Sequence, residues 1–164
     1  MTRGRFLPLL TSEVARQILK GDVHVSLDLG LTVESIELGE ERAILPEGTS
    51  VSFRDLRKVE DRENAVFYLK GRGLRMVAIS DSRFYKLVPT EGAPTLEIDG
   101  IRMHRTKGTT PDIDALDKVG TLGIRGGIVL DTCAGLGYTA QAAIQRGADF
   151  VVSVELSPEV LKVA

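Results

Sequence analysis

The sequence predicts a mixed α/β chain in two parts: a β-rich α+β domain over residues 1–108, then the first βαβ unit of a doubly wound parallel sheet over residues 109–164. Three observations carry that expectation. Short runs that alternate apolar and polar residues, punctuated by glycine and proline, fill the first part. After residue 108 the period becomes helical, and two predominantly apolar runs, GGIVLD and DFVVSVE, alternate with helical stretches. The first of these runs leads through a glycine-containing turn into an alanine-rich segment, IVLDTCAGLGYTA, at residues 128–140.

In chain order, TSEVARQILKG predicts a short helix. Thr11 or Ser12 caps its start, Val14 with Ile18 and Ala15 with Leu19 recur at helical spacing, and Gly21 ends it. DVHVSLDL alternates Val23, Val25 and Leu27 against His24, Ser26 and Asp28, and Gly30 separates it from LTVESIEL, which predicts a hairpin or meander. PEGTSVSF supplies a turn and a short strand, and FRDLRKVEDRE a helical or irregular connection. AVFYLKGRGLRMVAIS predicts a hairpin turning at Lys70 to Gly73, and RFYKLVP and TLEIDGIRMHR two further extended runs.

Beyond residue 108, TTPDIDALDKVG predicts a helix with Thr110 as cap, Pro111 at the first position, acids in the opening turn and Gly120 as terminator. GGIVLD is a strand of the kind buried on both faces of a parallel sheet. YTAQAAIQRG is a helix ending at Gly147, DFVVSVE a second buried strand, and SPEVLKVA a further helix capped by Ser157 with Pro158 at its first position. This order is a right-handed βαβ unit, the start of a Rossmann-like fold. It is expected to be truncated: two strands leave both sheet edges unpaired, and the last helix stops after about two turns without a stop signal. These residues are therefore expected to be the front of a longer protein. The alternative is a compact domain that takes strands from a partner chain.

Composition narrows the function classes. A formal net charge of −2 and 43% apolar residues describe an ordinary globular chain, neither an acidic nor a basic tail. The apolar run in MTRGRFLPLL is too short for a secretory signal or a membrane span, so a cytoplasmic protein without membrane partners is expected. The single cysteine, Cys133, excludes an internal disulfide framework, and with only His24 and His104 beside it no dedicated metal site is expected. The low asparagine and glutamine content with many arginines and glutamates is similar to that of heat-adapted proteins.

Gly135, Gly137 and Ala140 fit G-x-G-x-x-A, and Glu155 lies where a ribose-binding acid belongs. Two cofactor classes share this geometry, because a glycine turn lets the backbone approach a ligand and the acid accepts hydrogen bonds from ribose hydroxyls. Asp131, four positions before Gly135, discriminates between them. In a pyrophosphate site its carboxylate stands near like charges, a repulsion that desolvation amplifies. S-Adenosylmethionine carries an ammonium and a sulfonium and no phosphate, so the same carboxylate attracts it. The cationic ligand is favoured over a nicotinamide dinucleotide.

VLDTCAGLGYTA followed by VVSVELSPEVLKVA resembles the first motif and the following acidic-strand motif of class I S-adenosylmethionine-dependent methyltransferases, and the 24 positions between Asp131 and Glu155 suit that class. With the upstream YKLVPTEGAPTLEIDGIRMHR, the chain looks most like predicted archaeal methyltransferases of unassigned substrate. In D-x-G-x-G-x-G, Cys133 takes the first glycine position. The resemblance implies that Asp131 acts on the methionine ammonium, directly or through water. It implies that Thr132, Cys133, Ala134, Gly135, Gly137 and Tyr138 line the methionine and ribose, that Glu155 takes the ribose hydroxyls, and that Leu156 touches the adenine. The groups that hold the nucleophile follow a fourth strand in that class, so no catalytic residue is assigned, and the 164-residue chain is expected to be inactive alone.

Several readings stay open beside these. Cys133, near a helix start, is either a reactive thiol or a small packing residue, the second being favoured. His104, in the basic cluster with Arg102, Arg105 and Lys107, faces a cofactor or anionic substrate, or is a solvated strand end. The first part is read as a substrate-selecting domain. Basic and aromatic residues interleave in FYKL and AVFYLKGRGLR as in RNA-binding surfaces, but 17 lysines and arginines against 16 acids up to residue 108 give no footprint for nucleic acid. A small-molecule or protein methyl acceptor is favoured over RNA, and homo-oligomers remain open. The alternative enzyme is an aminopropyltransferase of the spermidine or spermine synthase kind that uses decarboxylated S-adenosylmethionine, and the non-enzymatic alternative is a binding or interaction module.

Overall fold

A computed structural model describes residues 7–71 and 73–164. It is a mixed α/β structure of small antiparallel sheets, one parallel pair and five helices, and it divides into two compact units after Val77.

The first unit contains β1 (Leu9–Leu10), α1 (Ser12–Leu19), β2 (His24–Val25), β3 (Glu34–Ser35), β4 (Glu37–Leu38), β5 (Arg42–Ile44), β6 (Ser50–Ser52), α2 (Phe53–Glu60), β7 (Phe67–Lys70) and β8 (Gly73–Met76). Thr11 caps α1, its hydroxyl accepting from the Val14 amide at 3.3 Å, and Ser52 caps α2 in the same way through the Asp55 amide. Val14 and Ile18 of α1 and Leu56 and Val59 of α2 meet in one core with Leu10, Leu27, Val51 and Phe67. The hairpin β7–β8 closes at Lys70↔Gly73, as its glycines predict, with residue 72 outside the described residues.

Two expectations are corrected in this unit. The alternation in DVHVSLDL yields only the two-residue β2, because Ser26 and Asp28 redirect the backbone: Asp28 Oδ1 accepts from the Leu31 and Thr32 amides at 3.0 and 2.9 Å, and Ser26 Oγ from the Gly30 amide at 2.7 Å. A side-chain turn replaces ladder bonds. The run LTVESIEL splits at buried Ile36, whose amide bonds Val23 O, so that β3 pairs with β2 and β4 with β5. Strand β5 has no strong pattern in the sequence. Its central Ala43 is fully buried between β4 and β6.

The second unit holds β9 (Ala78–Ser80), β10 (Phe84–Val88), β11 (Thr95–Ile98), β12 (Ile101–Arg102), α3 (Pro111–Gly120), β13 (Ile128–Asp131), α4 (Tyr138–Gln145), β14 (Phe150–Ser153) and α5 (Pro158–Val163). Strands β9 to β12 form an antiparallel meander in which Lys86 and Glu97, paired across the ladder, also meet as an ion pair at 3.0 Å. Helix α5 rests on this meander, with Val160 against Tyr85 and Leu96. Compactness therefore divides the chain at residue 77, whereas the change of period lies near residue 108. The reason is that residues 78–102, although β in texture, share a core with the last helix.

Strands β13 and β14 pair in parallel, Ile128↔Phe150 through Asp131↔Ser153. On one face Val129 and Val151 pack with Ala115 and Val119 of α3 and Ala142 and Ala143 of α4. The other face is open: Ile128 is 76% exposed, Leu130 63%, Phe150 59% and Val152 42%. The expected burial of both faces is thus met on one side only, because α3 and α4 pack on that side. Gly120 is the last residue of α3 and no terminator; a Cβ there would come within 2.9 Å of the Arg146 guanidinium, and the positive φ follows at Gly123. Thr110 caps α3 by its backbone alone, its hydroxyl being turned to the Asp112 carboxylate. Gly147, at φ +107°, and Ser157 end α4 and begin α5 as expected. No helix among the described residues is long and apolar enough to cross a membrane.

Candidate functional site

Strand β13 ends at Asp131, and the chain turns through residues 132–137 into α4. The turn is tied to the segment after β14: Val154 N donates to Asp131 O at 2.8 Å, and Ala134 N to Val154 O at 3.0 Å. Gly135 and Gly137 have φ of +53° and +83°, where a side chain is strained, so both glycines are required by the backbone. Cys133, at the remaining glycine position of the pattern, has no positive φ, so the departure from glycine adds no strain there. Its side chain is exposed, where a packing residue would be covered.

Asp131 is only 8% exposed. Its Oδ1 accepts from the Cys133 amide at 3.3 Å, while Oδ2 is buried with no hydrogen-bond partner among the described residues. Buried carboxylate oxygens are normally satisfied, and one left alone costs about 1–3 kcal/mol. An ammonium or water donor would remove that cost.

Glu155 is brought to the same turn, 24 positions on in sequence. Its Oε2 accepts from the Gly135 amide at 2.9 Å and its Oε1 from the Ser157 amide at 3.0 Å. The Ser157 amide, and after it the Gly135 amide, hold its carboxyl below the usual glutamate range. Glu155 therefore braces the turn, a role that the sequence reading does not include, and each oxygen keeps a further lone pair.

The remaining predicted positions divide. Ala134 is half-buried and Thr132 exposed, while Leu156 is 96% exposed. Tyr138 faces the antiparallel meander: its hydroxyl donates to Pro94 O at 2.7 Å, and burial, with Asp112 adding to it, pushes the phenol up to about 12.

His104 belongs to this neighbourhood. Its Nδ1 lies 2.9 Å from Oγ1 of fully buried Thr95, its ring meets Tyr138 edge-on with centroids 5.3 Å apart, and its Nε2 is 3.9 Å from the point a Cβ on Gly135 would occupy. Its basic neighbours are not gathered with it into an anion site. Arg105 pairs with Asp114 at 3.7 Å, Arg102 donates to Thr106, and Lys107 is exposed. Thr95 and Pro94 are the partners that sequence reasoning misses, since nothing local in PTLEI marks them. A cleft of about 90 Å³ beside α3 and α4, lined by Asp112, Leu116, Tyr138 and Gln141, contains neither Asp131 nor Glu155.

No family model matches this chain. A protein of the archaeon Methanocaldococcus jannaschii, described as Uncharacterized protein MJ1233, is 43% identical over 163 residues, covering 94% of this chain and 56% of its own length. The chain thus spans a little over half the length of the relative it matches.

Proposed function

We propose that these residues are the cofactor-binding front portion of an S-adenosylmethionine-dependent methyltransferase, in which β13, α4 and β14 begin a Rossmann-like, doubly wound sheet. The observation that carries the proposal is the buried, unpartnered Oδ2 of Asp131 beside a turn that two positive-φ glycines leave bare. A carboxylate so placed suits an ammonium group and opposes a diphosphate. The open apolar face of β13 and β14 supports the doubly wound part of the reading, because such sheets carry helices on both faces.

Asp131 holds the ammonium, and the second lone pairs of Glu155 accept from ribose hydroxyls while its backbone contacts keep the turn in shape. Bound there, the cofactor supplies a methyl group on a sulfonium, already a good leaving group, so the protein's part is alignment and exclusion of water. The acceptor is a small molecule or protein in preference to RNA, and the chain works away from membranes in the cytoplasm.

Calorimetric titration of the full-length protein tests this. S-Adenosylmethionine should bind and nicotinamide dinucleotide should not compete. Asp131→Asn should weaken binding about tenfold or more, equivalent to about 1.4 kcal/mol, while leaving the melting temperature unchanged or raised, since it removes an unpaired buried charge. Dinucleotide seated on residues 133–137 would sink the proposal. Preference for decarboxylated S-adenosylmethionine would redirect it to aminopropyl transfer, and failure to bind any of the three would leave an interaction module.

A further inference from the structure

His104 is held on two sides and open on a third. Thr95, fully buried in β11, fixes Nδ1 at 2.9 Å and also accepts from the His104 amide at 3.4 Å. The Tyr138 ring, standing at 70° to the imidazole, fixes its plane. Among the described residues nothing bonds to Nε2, and that atom faces the glycine turn, with the Met103 methyl beside it at 3.8 Å from the same Gly135 point. An imidazole nitrogen clamped over the place where backbone and ligand would meet is a ligand-facing group.

The charges around it decide what it would read. From α3, Asp114 and Lys118 face it, and they neutralise each other at 2.6 Å, with Arg105 also on Asp114. From α4, the Tyr138 phenol stays protonated. From β11 comes only the Thr95 hydroxyl, and at the turn Glu155 is engaged by two amides. The carboxylate that acts on the ring, Asp114, is shared with Lys118 and Arg105. Burial, opposed by Asp114 and aided by Lys118, accordingly holds His104 below the ordinary histidine value.

Resting on the cofactor reading above, we propose that His104 is the charge filter of the glycine turn: its Nε2 accompanies a cationic ligand while the ring is neutral and expels it once the ring is protonated. The filter makes binding depend on pH in a direction set by the ligand's charge. S-Adenosylmethionine brings a sulfonium that S-adenosylhomocysteine lacks, so acid should weaken the first more than the second.

The test is a calorimetric titration of the full-length protein with both compounds between pH 5.5 and 7.5. Affinity for S-adenosylmethionine should fall about threefold over that range, less than tenfold because the ring titrates below its ordinary value, affinity for S-adenosylhomocysteine should change by about 1.5-fold or less, and His104→Gln should remove the difference. By reciprocity, S-adenosylmethionine should lower the titration midpoint of His104 in proton NMR, with His24 as the internal reference, a readout that needs no variant. Binding at pH 7.5 with equal pH profiles for the two ligands, or a difference retained in His104→Gln, overturns the filter and leaves the cofactor reading standing. Absence of binding to either compound at pH 7.5 overturns both.

Discussion

The first unit and the parallel pair of the second use the same apolar residue types and finish them differently. In the first unit Leu10, Leu27, Val51 and Leu56 are 2% exposed or less, and each apolar face of its two helices meets another. In β13 and β14 Val129, Asp131 and Val151 are covered while Ile128, Leu130, Phe150 and Val152 stand in solvent, although both strands are apolar almost throughout. An unbroken apolar run is the kind that parallel sheets bury on both faces, and here one face is covered. The difference is measurable as the cost of truncating a side chain on either side of it.

The largest expected effect lies there. Leu56→Ala removes a fully buried side chain and should cost about 2–5 kcal/mol in urea denaturation. Leu130→Ala, on the open face, should stay within about 0.5 kcal/mol in the 164-residue chain. In the full-length protein the same Leu130→Ala substitution should rise into the range of Leu56→Ala if the proposed sheet carries helices on both faces. Equal, small costs at Leu130 in both lengths would break the doubly wound reading and leave the pair as a one-sided sheet.

Local chemistry was legible in the sequence where a residue acts on its near neighbours. The caps at Thr11 and Ser157, the break at Gly147 and the two left-handed glycines of the turn each follow from one residue type at one position. Where a polar side chain had two local partners to choose from, the pattern misled in part: Ser26 and Asp28 end a strand that alternation would continue, and the Thr110 hydroxyl turns to Asp112, so that Thr110 caps α3 by its backbone alone. Contacts that depend on how the meander and the βαβ elements assemble were not legible at all. Thr95 and Pro94 approach His104 and Tyr138 from 9 and 44 positions away, and no period or spacing encodes that meeting. The candidate site was therefore half visible. Asp131, Gly135, Gly137 and Glu155 stood out as a pattern, while the use of Glu155 as a brace depends on the curl of backbone that it holds.

That brace gives the next effect in size. Glu155→Ala leaves the Gly135 and Ser157 amides without their acceptor, and should cost about 1–3 kcal/mol of stability and weaken S-adenosylmethionine binding about tenfold or more. Glu155→Gln keeps an acceptor for one amide and should lose less of both. The two quantities separate the roles: loss of stability with unchanged affinity, by denaturation and calorimetry, would make Glu155 a purely structural residue and remove it from the ligand.

The smallest expected effect concerns His104 and sets polar burial in the second unit against apolar burial in the first. The folded chain holds this imidazole below its ordinary value of 6.5, so in acid the unfolded chain takes up a proton that the folded chain resists. The stability involved is fully present above about pH 6.5 and is lost as pH falls through the lower folded value. One proton limits the slope to about 1.4 kcal/mol per pH unit, and partial solvent access brings it well below that. Asp28, Asp55, Asp112 and Glu155, whose folded values are lowered, lose their contributions only at more acid pH, because their ordinary values are 3.8 and 4.5. Between pH 5.5 and 7 the slope should therefore be weaker in His104→Gln than in the native chain, as urea midpoints will reveal. The two slopes coincide only if solvent, and not the Thr95 and Tyr138 clamp, governs the ring, and in that case the second unit has no buried imidazole to set against the core of the first.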